Sequence, residues 1–118
     1  MRIINVMAAS LDGKIAGHSL ESDRERREYG FTNKADQEFV RHQLTTADAV
    51  VTGANSLRAS RGAWQVPNHH GRFATWVVLT RSGLDRSLKF WKQDEVDKWI
   101  VTPDAKMTIP DGPRNRLL

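Results

Sequence analysis

A glycine directly after an apolar run is the first feature of this sequence that could support binding chemistry. The segment Thr52-Gly53-Ala54-Asn55-Ser56 follows Ala49-Val50-Val51, which has the composition of a buried strand. A glycine at a strand end lets the backbone approach a ligand, and a helix that starts there points free amides outward. The pattern predicts a phosphate-binding turn, with an ordinary turn as the alternative.

Threonine and arginine residues follow the apolar runs in a repeated way. Thr52, Thr80 and Thr102 each come directly after such a run, so their hydroxyl groups would line one edge of a parallel sheet. Threonine also suits strands for steric reasons alone, which is the alternative explanation. A guanidinium at this edge could bind a pyrophosphate or a 2′-phosphate. The candidates are Arg81, Arg58 and Arg61, and solvated surface arginines are the alternative.

The long loop from Ser60 to Ala74 carries the remaining candidates. Trp64 could stack on a flat heterocycle or could hold the loop against the core. His69 and His70 are adjacent and have no third ligand at a suitable spacing, so no metal site is predicted. The sequence contains no readable Ser-His-Asp triad or pair of catalytic carboxylates. A hydride transfer needs neither, because a cofactor carries that chemistry.

The elements that must position these residues alternate between strands and helices. Because no tight-turn hairpin joins two runs, the fold class is expected to be α/β, with a mostly parallel sheet flanked by helices. Ligands of such sheets bind beyond the carboxyl ends of the strands. Strands are expected at Arg2–Ala9, Lys14–Gly17, Ala49–Thr52, Thr75–Leu79 and Trp99–Val101, and helices at about residues 32–45, with one side packed, and 54–59. Trp76, Trp91 and Trp99 are expected in the core, and the charge run Arg24–Glu28 on a solvated face.

Length and composition limit the class of protein. The chain has 118 residues, 39% of them hydrophobic and 27% charged, which suits one soluble globular domain. The net charge of +4 favours an anionic partner, but no nucleic-acid-binding motif is present. The chain has no cysteine, and its apolar first residues make a poor signal peptide. No run approaches the ~20 residues of a membrane span, so a cytoplasmic location is expected.

Two motifs together resemble a known family. They are Met7-Ala8-Ala9-Ser10-Leu11-Asp12-Gly13-Lys14-Ile15-Ala16 and the segment from Ala47 to Ala59 that contains Thr52-Gly53-Ala54-Asn55-Ser56. In this order, with one helix between them, they resemble the reductase domain of bacterial riboflavin biosynthesis. The resemblance implies a fold like that of dihydrofolate reductase and an enzyme that uses NADPH to reduce the ribose of a ribosylaminopyrimidine phosphate.

The resemblance also implies roles for particular residues. Ala8 and Ala9 would lie beside the nicotinamide, and Gly53 to Leu57 near the cofactor phosphates. Thr80 and Arg81 would lie near the adenosine. The predicted cofactor site is therefore Ala8, Ala9, Thr52, Gly53, Ala54, Ser56, Leu57, Thr80 and Arg81, and the predicted substrate site is Ser22, Asp23 and Trp64.

The sequence departs from the family pattern at two places and in its extent. Leu44 stands where the family usually has arginine, and Ser60-Arg61-Gly62 stands where it usually has Asp-Asp-Pro or Asp-Pro. A related reductase acting on a pterin or another heterocycle therefore stays open. The family continues with a Gly-Gly turn that grips the pyrophosphate, so residues 1–118 are expected to form one partial domain. We therefore expect the domain to be a homodimer or to be completed by another chain. The alternative function is a non-catalytic nucleotide-binding or assembly module.

Overall fold

The computed structural model of the chain describes residues 1–19 and 21–118. In these ranges four parallel strands form one sheet in the order β1-β2-β3-β4. The strands are β1 (Ala49–Gly53), β2 (Thr75–Leu79), β3 (Lys98–Val101) and β4 (Asn115–Leu117). The parallel α/β sheet is as predicted, and the first three of these strands lie where apolar runs predicted them. β4 was not predicted, because its three residues, Asn-Arg-Leu, form no apolar run.

Helices occupy the chain between and before the strands. They are α1 (Asp23–Glu28), α2 (Lys34–Leu44), α3 (Ala54–Ser60) and a 3₁₀ helix at Lys89–Lys92. Asn33 is the N-cap of α2, because its side chain accepts a hydrogen bond from the backbone N–H of Asp36. The charge run predicted on a solvated face forms α1, none of whose residues is buried. A capping hydrogen bond therefore fixes the start of α2, and α2 and α3 lie where helices were predicted.

The core lies on one face of the sheet. Val78 of β2 and Ile100 of β3 pack with Leu57 of α3 and Phe90 of the 3₁₀ helix, and each of the four side chains is at most 1% exposed. Trp76 and Trp91 belong to the same core, as predicted. This packing fixes α3 against the sheet, and with it the turn at the end of β1.

The opposite face of the sheet is apolar and exposed, and we call it the open face. It includes Val51 (67% exposed), Leu79 (49%) and Trp99 (37%), together with Val77. The prediction that Trp99 is a core residue is therefore wrong. Side chains alternate along a strand, and the register aligns Trp99 with Val77 and Val51 rather than with the buried Ile100.

The prediction of a buried first strand at Arg2–Ala9 is also wrong. No residue of this segment belongs to a strand, and Ile3 is 81% and Met7 59% exposed. An apolar run becomes a strand only when a neighbouring strand supplies hydrogen-bond partners, and none pairs with it in the described residues. The predicted extended piece at Lys14–Gly17 is likewise not a strand. A turn at Asp12-Gly13 precedes it, closed by the Ser10 N–H donating to the Lys14 carbonyl at 2.8 Å.

The predicted packing side of α2 is not buried. The helix has no buried residue, and Phe39, near its middle, is 55% exposed. Phe39 and Val40 line a cavity rather than the core. The helical spacing of apolar residues predicted the helix correctly, but it could not show whether another element would cover that side.

Candidate functional site

A cavity of about 650 Å³ lies beside α1, α2 and the start of α3, and we call it the main cavity. Its wall includes residues 5–8 of the N-terminal segment, Asp23 of α1, Phe39 of α2, Ser56 of α3 and Trp64. Its volume falls within the ~300–1,000 Å³ typical of small-molecule sites. Apolar and polar side chains are mixed in the wall, so it could accept a ligand with both a flat ring and polar substituents.

The main cavity brings together residues from both predicted sites. Ala8 and Ser56 belong to the predicted cofactor site, and Asp23 and Trp64 belong to the predicted substrate site. These four residues lie far apart between positions 8 and 64 of the sequence, so only the tertiary fold can bring them to one cavity. The sequence reasoning missed the polar residues of α1 and α2 that share the wall. They are Arg26, Arg27, Asp36 and Gln37, and their helical spacing was the only available signal.

The end of β1 has space for a ligand. Gly53 has φ −84° and is the N-cap of α3, but no side chain caps the helix. Apart from Gly53 and its two chain neighbours, no described residue has an atom within 4 Å of the position that a Cβ on Gly53 would take. Glycine is therefore required neither by backbone conformation nor by a neighbouring protein atom, and the volume in front of it is open. A ribose or phosphate group of a cofactor would fit this space.

Some residues of the predicted cofactor site have a structural role in the core. Leu57 (1% exposed) and Ala54 (8%) pack into the core, so their side chains stabilise α3 and do not face a ligand. Thr52 is half-buried on β1, and Ala9 is exposed beside Ala8. Whether these residues contact a cofactor stays a prediction.

The carboxyl ends of the strands meet at one edge, as in any parallel sheet, but Thr52 pairs with Val78 and therefore lies two positions before Thr80. Gly53 pairs in register with Leu79, which pairs with Val101. The Thr80 hydroxyl proton already has an acceptor within the protein, because the hydroxyl donates to the Gly83 carbonyl at 3.0 Å. Arg58 donates to the same carbonyl at 2.7 Å, which holds α3 against the turn after β2.

Arg81 is the exposed cation at this edge. It directly follows the buried Thr80, and the described residues provide no hydrogen-bond or ion-pair partner for its side chain. Arg81 does not line the main cavity. A ligand that touched both Ser56 and Arg81 would therefore extend along the sheet edge, as a dinucleotide can.

Trp64 is held at the main cavity from two sides. The guanidinium of Arg41 on α2 lies 5.2 Å from the centre of the Trp64 ring. Next to Trp64, the backbone of Ala63 is bound by the buried Gln93 side chain, which accepts from its N–H at 2.8 Å and donates to its carbonyl at 2.9 Å. Gly62 allows this approach, since a Cβ there would lie 2.8 Å from Oε1 of Gln93. Gly62, which departs from the family pattern, therefore makes room for the Gln93 side chain.

We expect Gln93→Leu to destabilise the protein by about 1–3 kcal/mol, because it leaves two buried backbone groups of Ala63 without partners. Urea unfolding would measure this, and hydrogen exchange at residues 62–65 would report loosening of the loop. Gln65→Leu is the matched control, because it leaves both bonds between Gln93 and Ala63 intact. Equal losses of stability in the two variants would contradict the assignment.

Ser22 and Asp23 have different positions at the site. Asp23 lines the main cavity. The Ser22 hydroxyl accepts from the Glu25 N–H at 3.2 Å and donates to the Glu25 carboxylate at 2.7 Å, so it caps α1. Arg26, on the same helix, pairs with the buried Glu21 at 3.2 Å and donates to the Ile15 carbonyl at 2.8 Å. These contacts hold Ile15, near the end of the first motif, and Glu21 against α1.

Glu25 makes the start of α1 sensitive to acid. Hydrogen bonds from the Ser22 side chain and backbone, with a further one from His18, lower the pKa of Glu25 from 4.5 to about 2. A carboxylate whose pKa is lower in the folded state stabilises that state above the unfolded pKa, and the contribution is lost as the pH falls towards 2.

We expect Glu25→Gln to reduce the acid dependence of unfolding between pH 4.5 and about 2. Circular dichroism during urea titration at several pH values would measure it. Glu28→Gln removes a carboxylate from the same helix that pairs only with Arg24 at the surface, and it should leave the dependence unchanged. An unaltered pH profile for Glu25→Gln would refute this role.

Over residues 1–19 and 21–118, no three His, Asp or Glu side chains come close enough together to hold a metal ion. None of the helices in these ranges has the length and apolar content that a membrane crossing requires.

The fold and the site together define the class of protein. A parallel α/β sheet with an open glycine turn at its carboxyl edge and an adjoining cavity is the arrangement of a ligand-binding α/β domain. Residues 2–109 match the family model of the RibD C-terminal domain. The chain therefore belongs to the RibD C-terminal domain family, which is related to the reductases of riboflavin biosynthesis. No curated protein and no solved structure matches the chain.

Proposed function

We propose that this protein is an NADPH-dependent reductase module acting on a phosphorylated heterocyclic substrate. The ribosylaminopyrimidine phosphate of riboflavin biosynthesis is the first candidate, because the chain belongs to a family related to that pathway. The observation that carries the proposal is the main cavity, where Ala8 and Ser56 meet Asp23 and Trp64. Residues that were assigned separately to cofactor and substrate share one wall there, as a hydride transfer requires.

In this proposal the protein binds and aligns, and NADPH supplies the hydride when bound. The open space at Gly53 and the first turn of α3 takes the cofactor phosphates, and Arg81 takes the 2′-phosphate. Trp64 offers an aromatic face to the substrate ring, and the carboxylate of Asp23 accepts hydrogen bonds from its hydroxyl or amino groups. Arg27, exposed in the same wall, attracts a substrate phosphate.

The substrate is open to a second assignment within the same reaction class. Leu44 and Ser60-Arg61-Gly62 replace residues that the family usually has near its ligands, and Gly62 makes room for Gln93. A reductase of a pterin or of another flat heterocycle would use the same Trp64 and Asp23 contacts. Comparing turnover of a ribosylaminopyrimidine phosphate with that of a dihydropterin distinguishes the two substrates.

A second candidate function is a non-catalytic nucleotide-binding or assembly module. The position of Ala8 favours it, because this residue lies in an exposed segment outside the sheet rather than on a fixed strand. Hydride transfer needs donor and acceptor held about 3–3.5 Å apart. A segment without strand hydrogen bonds would hold a neighbouring nicotinamide too loosely to keep this distance.

Titration of the purified protein with NADPH and NADH, followed by cofactor fluorescence, tests the proposed function. We expect saturable binding with an affinity for NADPH at least about tenfold higher, because a phosphate bound by arginine adds charge-assisted hydrogen bonds. Turnover of either substrate then identifies a reductase. Binding without turnover supports a non-catalytic nucleotide-binding module. No saturable binding of either nucleotide overturns both the reductase and the nucleotide-binding module, and leaves the assembly module.

The proposed partners and location follow from the reaction. A substrate of small size and a dinucleotide account for the positive net charge of +4, so neither a nucleic acid nor a membrane is proposed as a partner. We assign the reaction to the cytoplasm. A chain without cysteine is compatible with that reducing compartment.

A further inference from the structure

A buried amino group lies behind the loop that carries Trp64. Lys98 is the first residue of β3, and it is only 1% exposed. Its Nζ atom donates to the Gln93 carbonyl at 2.7 Å and to the Val96 carbonyl at 3.0 Å. No described carboxylate forms an ion pair with it. Burying a lysine is costly, and an apolar side chain could fill the same volume. What lysine contributes at this position is therefore the two hydrogen bonds.

These bonds fix the backbone of Gln93, which follows the 3₁₀ helix and belongs to no helix or strand. The Gln93 N–H donates to the Phe90 carbonyl at 3.3 Å. The Gln93 carbonyl accepts from the Lys98 Nζ atom at 2.7 Å and from the Val96 N–H at 3.1 Å. Burial lowers the pKa of Lys98, but both of its bonds need only an N–H donor, which the protonated and the neutral amino group each provide.

The Gln93 side chain continues the connection to the main cavity. Its carboxamide binds both backbone groups of Ala63, at 2.8 and 2.9 Å, and Trp64 is the next residue and lines the cavity. Lys98, Gln93 and Ala63 are exposed by 1%, 6% and 7%, so water does not compete for these hydrogen bonds. Consecutive buried hydrogen bonds therefore link the amino group of Lys98 to the residue beside Trp64.

We propose that Lys98 is a positioning residue for the substrate ring, which acts through Gln93 on the loop that carries Trp64. The inference rests on the proposed function, in which Trp64 offers its aromatic face to a flat heterocycle. Lys98 does not line the main cavity, so its effect on the substrate is indirect. None of the linking hydrogen bonds involves Gly53 or Arg81, so we expect the effect to be confined to the substrate and to leave cofactor binding intact.

Fluorine NMR of the full chain labelled with 5-fluorotryptophan tests the connection without any ligand. The chain has four tryptophans, and the resonance that Trp64→Phe removes belongs to Trp64. We expect Lys98→Met to shift or broaden this resonance, because the Gln93 carbonyl loses a donor that fixes it. Lys92→Met is the matched control, since it makes the same change at an exposed lysine next to Gln93, and it should leave the resonance unchanged. An equal change in the two variants would contradict the assignment.

Chemical rescue separates the amino group of Lys98 from its volume. The natural chain has no cysteine, so Lys98→Cys can be alkylated at a single position in urea and then refolded. Aminoethylation restores a terminal amino group, whereas propylation places a methyl group at the same point. We expect the aminoethyl form to have the wild-type Trp64 resonance and the propyl form to have that of Lys98→Met. The same resonance in both alkylated forms would show that the amino group has no positioning role.

A double-mutant cycle tests whether Lys98 acts through Gln93. Gln93→Leu removes the link to Ala63, so adding Lys98→Met to it should not move the Trp64 resonance further. Circular dichroism and urea titration identify the variants that stay folded. A further shift as large as that of Lys98→Met alone would overturn the connection through Gln93.

Steady-state kinetics and cofactor titration connect the inference to the proposed function. We expect Lys98→Met to raise the KM for the heterocyclic substrate at least about tenfold, because a displacement of about 1 Å at a site can cost up to about 100-fold. The dissociation constant for NADPH should stay almost unchanged. An unchanged Trp64 resonance in folded Lys98→Met overturns the inference and leaves the proposed function intact. A protein that binds no NADPH overturns the proposed function, whereas the Trp64 resonance still decides whether Lys98 holds the loop.

Discussion

Replacing Arg81 with serine is expected to raise the dissociation constant for NADPH about 10- to 100-fold and to leave that for NADH almost unchanged. In the proposed function the Arg81 guanidinium binds the 2′-phosphate, which NADH lacks. Hydrogen bonds to charged groups contribute about 1.5–3 kcal/mol, and each 1.4 kcal/mol changes affinity tenfold. Arg81 is exposed at the carboxyl edge of the sheet, so the substitution should leave folding intact.

The control for Arg81 is Arg72→Ser, which removes the same charge from the other end of the sheet. Arg72 lines a second cavity beside Asp48 and Thr75, at the amino ends of β1 and β2. We expect no change in the affinity for either nucleotide. Equal weakening of NADPH and NADH binding by Arg81→Ser would contradict a role in 2′-phosphate recognition. An equal effect of Arg72→Ser would indicate a general effect of net charge.

Phe90→Ala is expected to lower the free energy of unfolding by about 3–5 kcal/mol. The Phe90 ring is 0% exposed, lies 5.5 Å from the Trp91 ring and is 5.8 Å from the Lys98 ammonium group. Small domains have a total stability of only about 5–15 kcal/mol, so the variant should unfold at a much lower urea concentration. Urea titration followed by circular dichroism measures the change.

Phe39→Ala is the matched control for Phe90→Ala. The Phe39 side chain on α2 is 55% exposed and is not part of the core cluster, so its loss should cost no more than about 0.5 kcal/mol, as is usual at the surface. Similar losses in the two variants would indicate that α2 packs against the core in solution. That result would contradict the exposed arrangement of this helix.

Local sequence signals predicted much of the site's framework. The glycine after Val51-Thr52 marked the end of β1, and Asn33 marked the start of α2. The threonines after the apolar runs predicted the shared edge of the sheet, although the hydroxyl of Thr80 turned out to bind the Gly83 carbonyl. The meeting of Ala8, Asp23, Ser56 and Trp64 could be inferred only from a family resemblance, because their distances depend on the packing of separate elements.

The sequence by itself determined the strands β1, β2 and β3, the helices α2 and α3 and the order in which they follow one another. These features depend on side-chain periodicity and on hydrogen bonds between residues a few positions apart. Only the tertiary structure decided that Arg2–Ala9 is not a strand and that Trp99 lies on the open face. Each of these depends on whether a distant segment supplies a backbone partner or covers an apolar surface, which no local pattern can specify.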